Sequence, residues 1–163
     1  MTERQIRLFG DPVLRSVCDP IAPGDPKVRG LIEDLLETVE VPGRAGLAAN
    51  QIGVPLQAFS YNIDGVIDYI INPVLVEVTG EPELVEEGCL SVPGFYFPRS
   101  RYPFARVTGI DLEGNPVELS GEGVLAQALQ HETDHLAGHL YIEGLEPETK
   151  REAMRAIRQA PWY

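Results

Sequence analysis

The stretch Val124–Ala137 constrains this chain more than any other: it carries His131-Glu132-Thr133-Asp134-His135 in a run free of Pro and Gly. Ala, Leu and Gln favour a helix there. Leu125, Ala128, Leu129 and Leu136 recur at helical spacing, so one face is apolar enough to bury. On such a helix His131 and His135 lie one turn apart on the same face, where two imidazoles can grip one metal ion. Glu132 is rotated by about 100° and flanks the ion, placed to take a proton from a water bound to it. The competing reading makes the two histidines hydrogen-bonding core residues and Glu132 a surface charge. The two readings part on whether the rest of the chain offers a third ligand.

Size and charge narrow the setting. With 163 residues the chain has the length of one domain, read as a single catalytic unit over 1–163. Sixteen Gly and 14 Pro imply many turns and short elements. The formal charge of −12 argues against general nucleic-acid binding, because nothing here neutralises a run of phosphates. No run approaches the length of a membrane span, and the opening residues Met1–Gly10 lack the apolar core of a signal peptide. Only two cysteines, Cys18 and Cys89, are present, too few for a disulfide framework. A soluble, cytoplasmic protein is the expectation, with Cys18 read as a small buried hydrophobe.

Along the chain, Asp11-Pro12 and Asp25-Pro26 each pair an N-cap with Pro at the first helical position. The second helix has an apolar stripe of Val28, Leu31, Ile32, Leu35, Leu36 and Val39 and ends near Val41-Pro42-Gly43. Residues 43–53 are too rich in small side chains for a strand and too punctuated by glycine for a good helix. Strands are expected at 56–61, 66–71, 74–78 and 104–111, with 117–119 returning after a turn at 111–116. A last helix, roughly 148–159, carries Lys150, Arg151, Arg155 and Arg158; a solvated face is its simplest reading. The fold class is α+β: antiparallel sheet packed around a central metal-binding helix, with a C-terminal helix.

Three sources compete for the third ligand. The continuation His-x-x-Gly-x-x-His fails, since Gly138 is in place but the third His position is Tyr141. A later carboxylate is available from Glu143, Glu146, Glu148 or Glu152, although little chain then remains to build a substrate cleft. The third source lies upstream, at Cys89 in the glycine-bearing bend Glu87-Gly88-Cys89-Leu90-Ser91. A thiolate with two imidazoles suits Zn or Fe and leaves a fourth position for water.

Gly46-Leu47-Ala48-Ala49-Asn50-Gln51, Glu87–Ser91 and His131–His135 stand in the order and approximate spacing of three signature motifs, and in this the chain resembles the peptide deformylases. The resemblance runs from Ile6 to the final helix. It implies Cys89, His131 and His135 as metal ligands, Glu132 as general base and acid, and Gln51 with the Leu90 N–H as the oxyanion hole. It implies Fe(II) as the metal, with Ni, Co or Zn as alternatives, and N-formyl-methionyl nascent peptides as substrates. Ribosome contact through the basic last helix is the accompanying expectation. The small residues Gly46, Ala48 and Ala49 would let backbone crowd the site and favour formyl over larger acyl groups.

Two departures bear on the substrate pocket. Arg44 stands where the first motif usually begins with Gly, and solvent is the expected place for its side chain. Gln127 stands where the methionine pocket is usually apolar, among Val85, Val124 and Ala128. Glu87 is expected to pair with Arg99 and hold the cysteine bend. Two other functions compete: a metallo-endopeptidase with the same helix motif, and a non-catalytic relative that binds peptide N-termini. The missing third His counts against the first, and the intact Glu132, Gln51 and ligand set against the second.

Overall fold

The computed structural model describes residues 3–163, so Met1 and Thr2 of the opening stretch lie outside the described residues. Among the described residues three α-helices, α1 (Pro26–Val39), α2 (Gly123–Leu136) and α3 (Pro147–Ile157), accompany seven strands. β1 (Gly46–Ala48), β2 (Ala58–Ile63), β3 (Val66–Thr79), β6 (Phe104–Ile110) and β7 (Pro116–Glu122) form an antiparallel sheet in the order β1-β2-β3-β6-β7. β4 (Glu83–Gly88) and β5 (Tyr96–Arg101) form a separate antiparallel pair. The architecture is α+β, as expected.

Several elements differ from the sequence reading. Asp11 caps a four-residue 3-10 turn, Pro12–Arg15, rather than an α-helix. Gly46–Ala48 is a strand after all, and Ala49–Ile52 a 3-10 turn; pairing with β2 uses backbone groups, which small side chains supply as well as large ones. The strands expected at 66–71 and 74–78 are one element, β3. It runs through Pro73 because Asn72, at φ 51°, opens an irregularity in the pairing with β6. The Asn72 side chain accepts from Ile21 N at 2.8 Å and donates to Ile21 O at 2.9 Å, pinning the bulge. β4 and β5 have no counterpart among the expected strands.

α2 packs across the large sheet. Ala126, Leu129 and Leu136 join Ala48, Phe59, Ile70 and Val107 in one core, which also holds Cys18. α1 covers a second core with Val28, Leu31, Ile32, Leu35 and Val39 against Leu47, Ile52, Ala58 and Ile71. A third core, with Leu14, Val92, Tyr141, Ala153 and Ile157, joins α3 to the turn after Cys89. Apolar burial of this kind contributes roughly 1.5–3 kcal/mol per large side chain, and here it seats α2 on the sheet, while polar contacts tie it to the hairpin. No helix among the described residues is long and apolar enough to cross a membrane.

Candidate metal centre

Packing decides where the histidines point. α2 buries the face that carries His131, Glu132 and His135. It stops at Gly138, whose φ of 86° and contact with the Arg15 carbonyl leave no room for a Cβ. Cys89 follows β4 in a tight turn closed by Val92 N donating to Cys89 O at 2.9 Å. Helix and turn together bring Cys89 Sγ within 3.2 Å of His135 Nε2, and His135 Nε2 within 3.1 Å of His131 Nε2. Among the described residues these three form the one group of His, Cys, Asp or Glu that could hold an ion, with ligand atoms within 4.8 Å of one another. Glu143, an alternative carboxylate, instead accepts from His139 at 2.9 Å on the surface. Two imidazole nitrogens and a sulfur facing one point are a donor set that fits a transition-metal cation.

Glu87 supports this group from behind. It is buried, and its Oε2 lies 2.6 Å from His131 Nδ1. Burial alone would raise its pKa, but hydrogen bonds from Arg101 and His131 overcome that and hold it at about 2. An ionised Glu87 keeps a proton on His131 Nδ1 and turns Nε2 toward His135. The expected Glu87–Arg99 pair is not formed. Arg101 takes that place, donating from Nε at 2.8 Å and Nη2 at 2.6 Å to the two Glu87 oxygens, and from Nη1 to Asp134 at 2.8 Å. Arg99 is drawn aside by the Tyr141 carbonyl, 3.2 Å from its Nε, and lies over Gly144.

Their surroundings pull the two histidines in opposite directions. For His131 burial opposes the charged form, but the Cys89 sulfur and the Glu87 and Glu132 carboxylates outweigh it and raise its pKa well above the usual range. For His135 burial and the neighbouring His131 both act downward. Burial is also the main influence on Glu132, raising it to about 7 against the pull of His131. A carboxyl with that value exchanges protons near neutral pH.

Glu132 sits at the floor of a cleft of about 420 Å³, whose lining includes Cys89, Leu90, Gln51 and His131. Gly46 of β1 lies directly against its carboxylate. Gln51 is buried and fixed: its Oε1 accepts from Ala48 N at 2.9 Å, and its Nε2 donates to Ser91 Oγ at 3.1 Å and lies 3.6 Å from Cys89 Sγ. Arg44, Gly46, Val124, Gln127 and Ala128 all line the cleft. Val85 does not; the wall there is Glu86–Gly88, and Val85 pairs with Arg99 farther along the hairpin. Nor does Arg44 extend into solvent. Its Nη1 donates to Thr38 O at 2.8 Å and pairs with Glu3 at 3.2 Å, tying the cleft rim to the end of α1.

Sequence reasoning missed Arg101, Ser91 as a partner of Gln51, and Asn50, whose Nδ2 donates to His135 O at 2.6 Å. Ser91 and Asn50 stand inside the quoted motifs and were open to being found; Arg101 required the hairpin.

The Polypeptide deformylase family model matches residues 3–151. A peptide deformylase of Acidothermus cellulolyticus is 48% identical over 162 residues, covering 99% of this chain and 89% of the relative. Peptide deformylase 1 of Corynebacterium glutamicum is 41% identical over 167 residues, covering 100% and 99%. The crystal structure of a peptide deformylase from Legionella pneumophila superimposes with a TM-score of 0.89 at 37% identity, covering 97% of this chain and 95% of that one. The Thermus thermophilus enzyme gives 0.86 at 37% identity, covering 95% and 93%. Matched along nearly its whole length in sequence and in fold, the chain belongs to the peptide deformylase family, hydrolases that remove the N-formyl group from nascent polypeptides.

Proposed function

We propose that Cys89, His131 and His135 hold one divalent cation, Fe(II) in the native enzyme with Ni, Co or Zn as substitutes, and that residues 1–163 form one catalytic unit around it. The observation that carries this reading is the convergence of a sulfur and two Nε2 atoms beside the buried Glu132. When bound, such a cation supplies Lewis-acid chemistry, acidifying water and polarising a carbonyl.

The chain's own side chains do the rest. Glu132 accepts the proton of the attacking water and returns one to the leaving amine; its burial, which favours the protonated form, suits it to the second transfer. As the formyl carbon becomes tetrahedral, charge builds on its oxygen. The Gln51 amide and the Leu90 N–H are the donors that stabilise it, each worth about 3 kcal/mol in comparable sites. Gln51 is pre-aimed by Ala48 N and has only to exchange its long contact with Cys89 Sγ for the oxygen. The products are formate and a free amino terminus.

The setting proposed is the cytoplasm, acting on N-formyl-methionyl chains at the ribosome. Lys150, Arg151, Arg155 and Arg158 support that docking: all four are exposed, and none has an ion-pair partner among the described residues. A solvated helix face is the alternative, and weakened ribosome pelleting of a Lys150/Arg151/Arg155/Arg158→Ala variant separates the two. The reaction itself is tested by anaerobic purification with Fe(II), addition of formyl-Met-Ala-Ser, and formate assay beside a Glu132→Gln control. Formate from the wild type alone supports the assignment; equal formate from both removes Glu132 from it.

A further inference from the structure

α2 presents Val124, Gln127, Ala128 and His131 to the cleft. His131 stands at the catalytic end. Gln127 lies one turn back, about 6 Å along the axis at roughly 1.5 Å per residue. A peptide whose formyl group sits beside His131 and whose first side chain lies along this face brings an unbranched chain of methionine's length to Gln127. Val124 and Ala128 offer it apolar surface; Gln127 does not.

One hydrogen bond at the solvent-exposed rim of the cleft orients the Gln127 amide. Its Nε2 donates to Glu86 O at 3.2 Å, bridging α2 and β4. A backbone carbonyl only accepts, so the nitrogen must face it. One N–H and Oε1 of that amide are left without a partner among the described residues. An apolar wall strands a polar ligand atom; a wall with a spare donor and acceptor does not.

We propose that Gln127 makes the first-residue pocket accept polar isosteres of methionine, above all methionine sulfoxide, so that chains whose initiating methionine is already oxidised are still deformylated. The spare Gln127 N–H meets the sulfoxide oxygen, the group that thioether oxidation adds. The reaction is unchanged: water adds to the formyl carbon, the C–N bond breaks, formate departs and the amine keeps a proton. The inference rests on the deformylase reading above.

The test compares formyl-Met-Ala-Ser, its sulfoxide and formyl-norleucine-Ala-Ser on Co(II)-loaded wild type and Gln127→Leu by kcat/KM. Binding of the same peptides to Glu132→Gln and to Glu132→Gln/Gln127→Leu is followed by calorimetry. The sulfoxide is expected within about threefold of the methionine peptide on the wild type, and Gln127→Leu to lower the sulfoxide-to-norleucine ratio about tenfold or more in both assays. An unchanged ratio overturns the inference. A shifted binding ratio with no formate from any peptide on the wild type upholds Gln127 as the selector and counts against the deformylase reading instead.

Discussion

Gly46 lies so close to Glu132 that a Cβ at position 46 would overlap the carboxylate oxygen Oε2. The glycine is needed for space rather than for its backbone freedom, because it sits in an ordinary strand. Gly46→Ala should therefore fold normally while pushing the Glu132 carboxylate aside. A displacement of that kind costs about 100-fold in kcat/KM. Formate kinetics beside a thermal melt check this, and full activity in a folded variant would contradict it.

Removing the sulfur should empty the site of metal. Cys89→Ala is expected to weaken Co(II) or Zn(II) binding beyond the roughly 10–100-fold that loss of a supporting hydrogen bond costs. Equilibrium dialysis with metal analysis measures it. Wild-type affinity in that variant would point to a different third ligand.

Arg101 and Arg99 are two residues apart on one strand, yet their loss should differ. Arg101→Gln leaves the buried Glu87 without its two-pronged partner and should cost about 3–5 kcal/mol of stability. Arg99→Gln removes two hydrogen bonds to carbonyls, those of Tyr141 and the exposed Ser100, and should cost about 1–2 kcal/mol. Urea unfolding of the two variants side by side decides it; equal losses would mean that the Glu87 pair carries no special weight.

Alkaline pH should act on Cys18. Burial, with Asp19 beside it, raises the thiol from 9.0 to about 11. The unfolded chain thus gives up this proton first, and its contribution to stability is intact below pH 9 and lost as pH rises through about 11. Urea midpoints across that window should fall less steeply for Cys18→Ala than for the wild type. Parallel curves would show that the thiol is not what titrates.

Much of this was legible in the sequence because it rests on local periodicity. The apolar face of α2, the stripe of α1 and the one-turn spacing of His131 and His135 need no knowledge of distant contacts. The hairpin β4–β5 was not legible: its two glutamates before Gly88, and Pro98 between Phe97 and Arg99, give no clean alternation. With the hairpin went the choice of Glu87's partner. Register alone puts Arg99 nearer, since Glu87 pairs with Phe97. The outcome is settled by Asp134 on α2 and the Tyr141 carbonyl, both far away in sequence. Arg44 was misread for a similar reason, its acceptor being a carbonyl at the end of α1.

The convergence of Cys89 with His135 spans 46 positions of chain. A cation gripped by both is then a reversible cross-link, closing a long loop much as a disulfide does but answering to metal concentration rather than to redox poise. At a free concentration about 100 times its dissociation constant it adds roughly 2.7 kcal/mol to the folded state. With the proposed ligands, metal starvation would lower the stability of the folded chain as well as its rate.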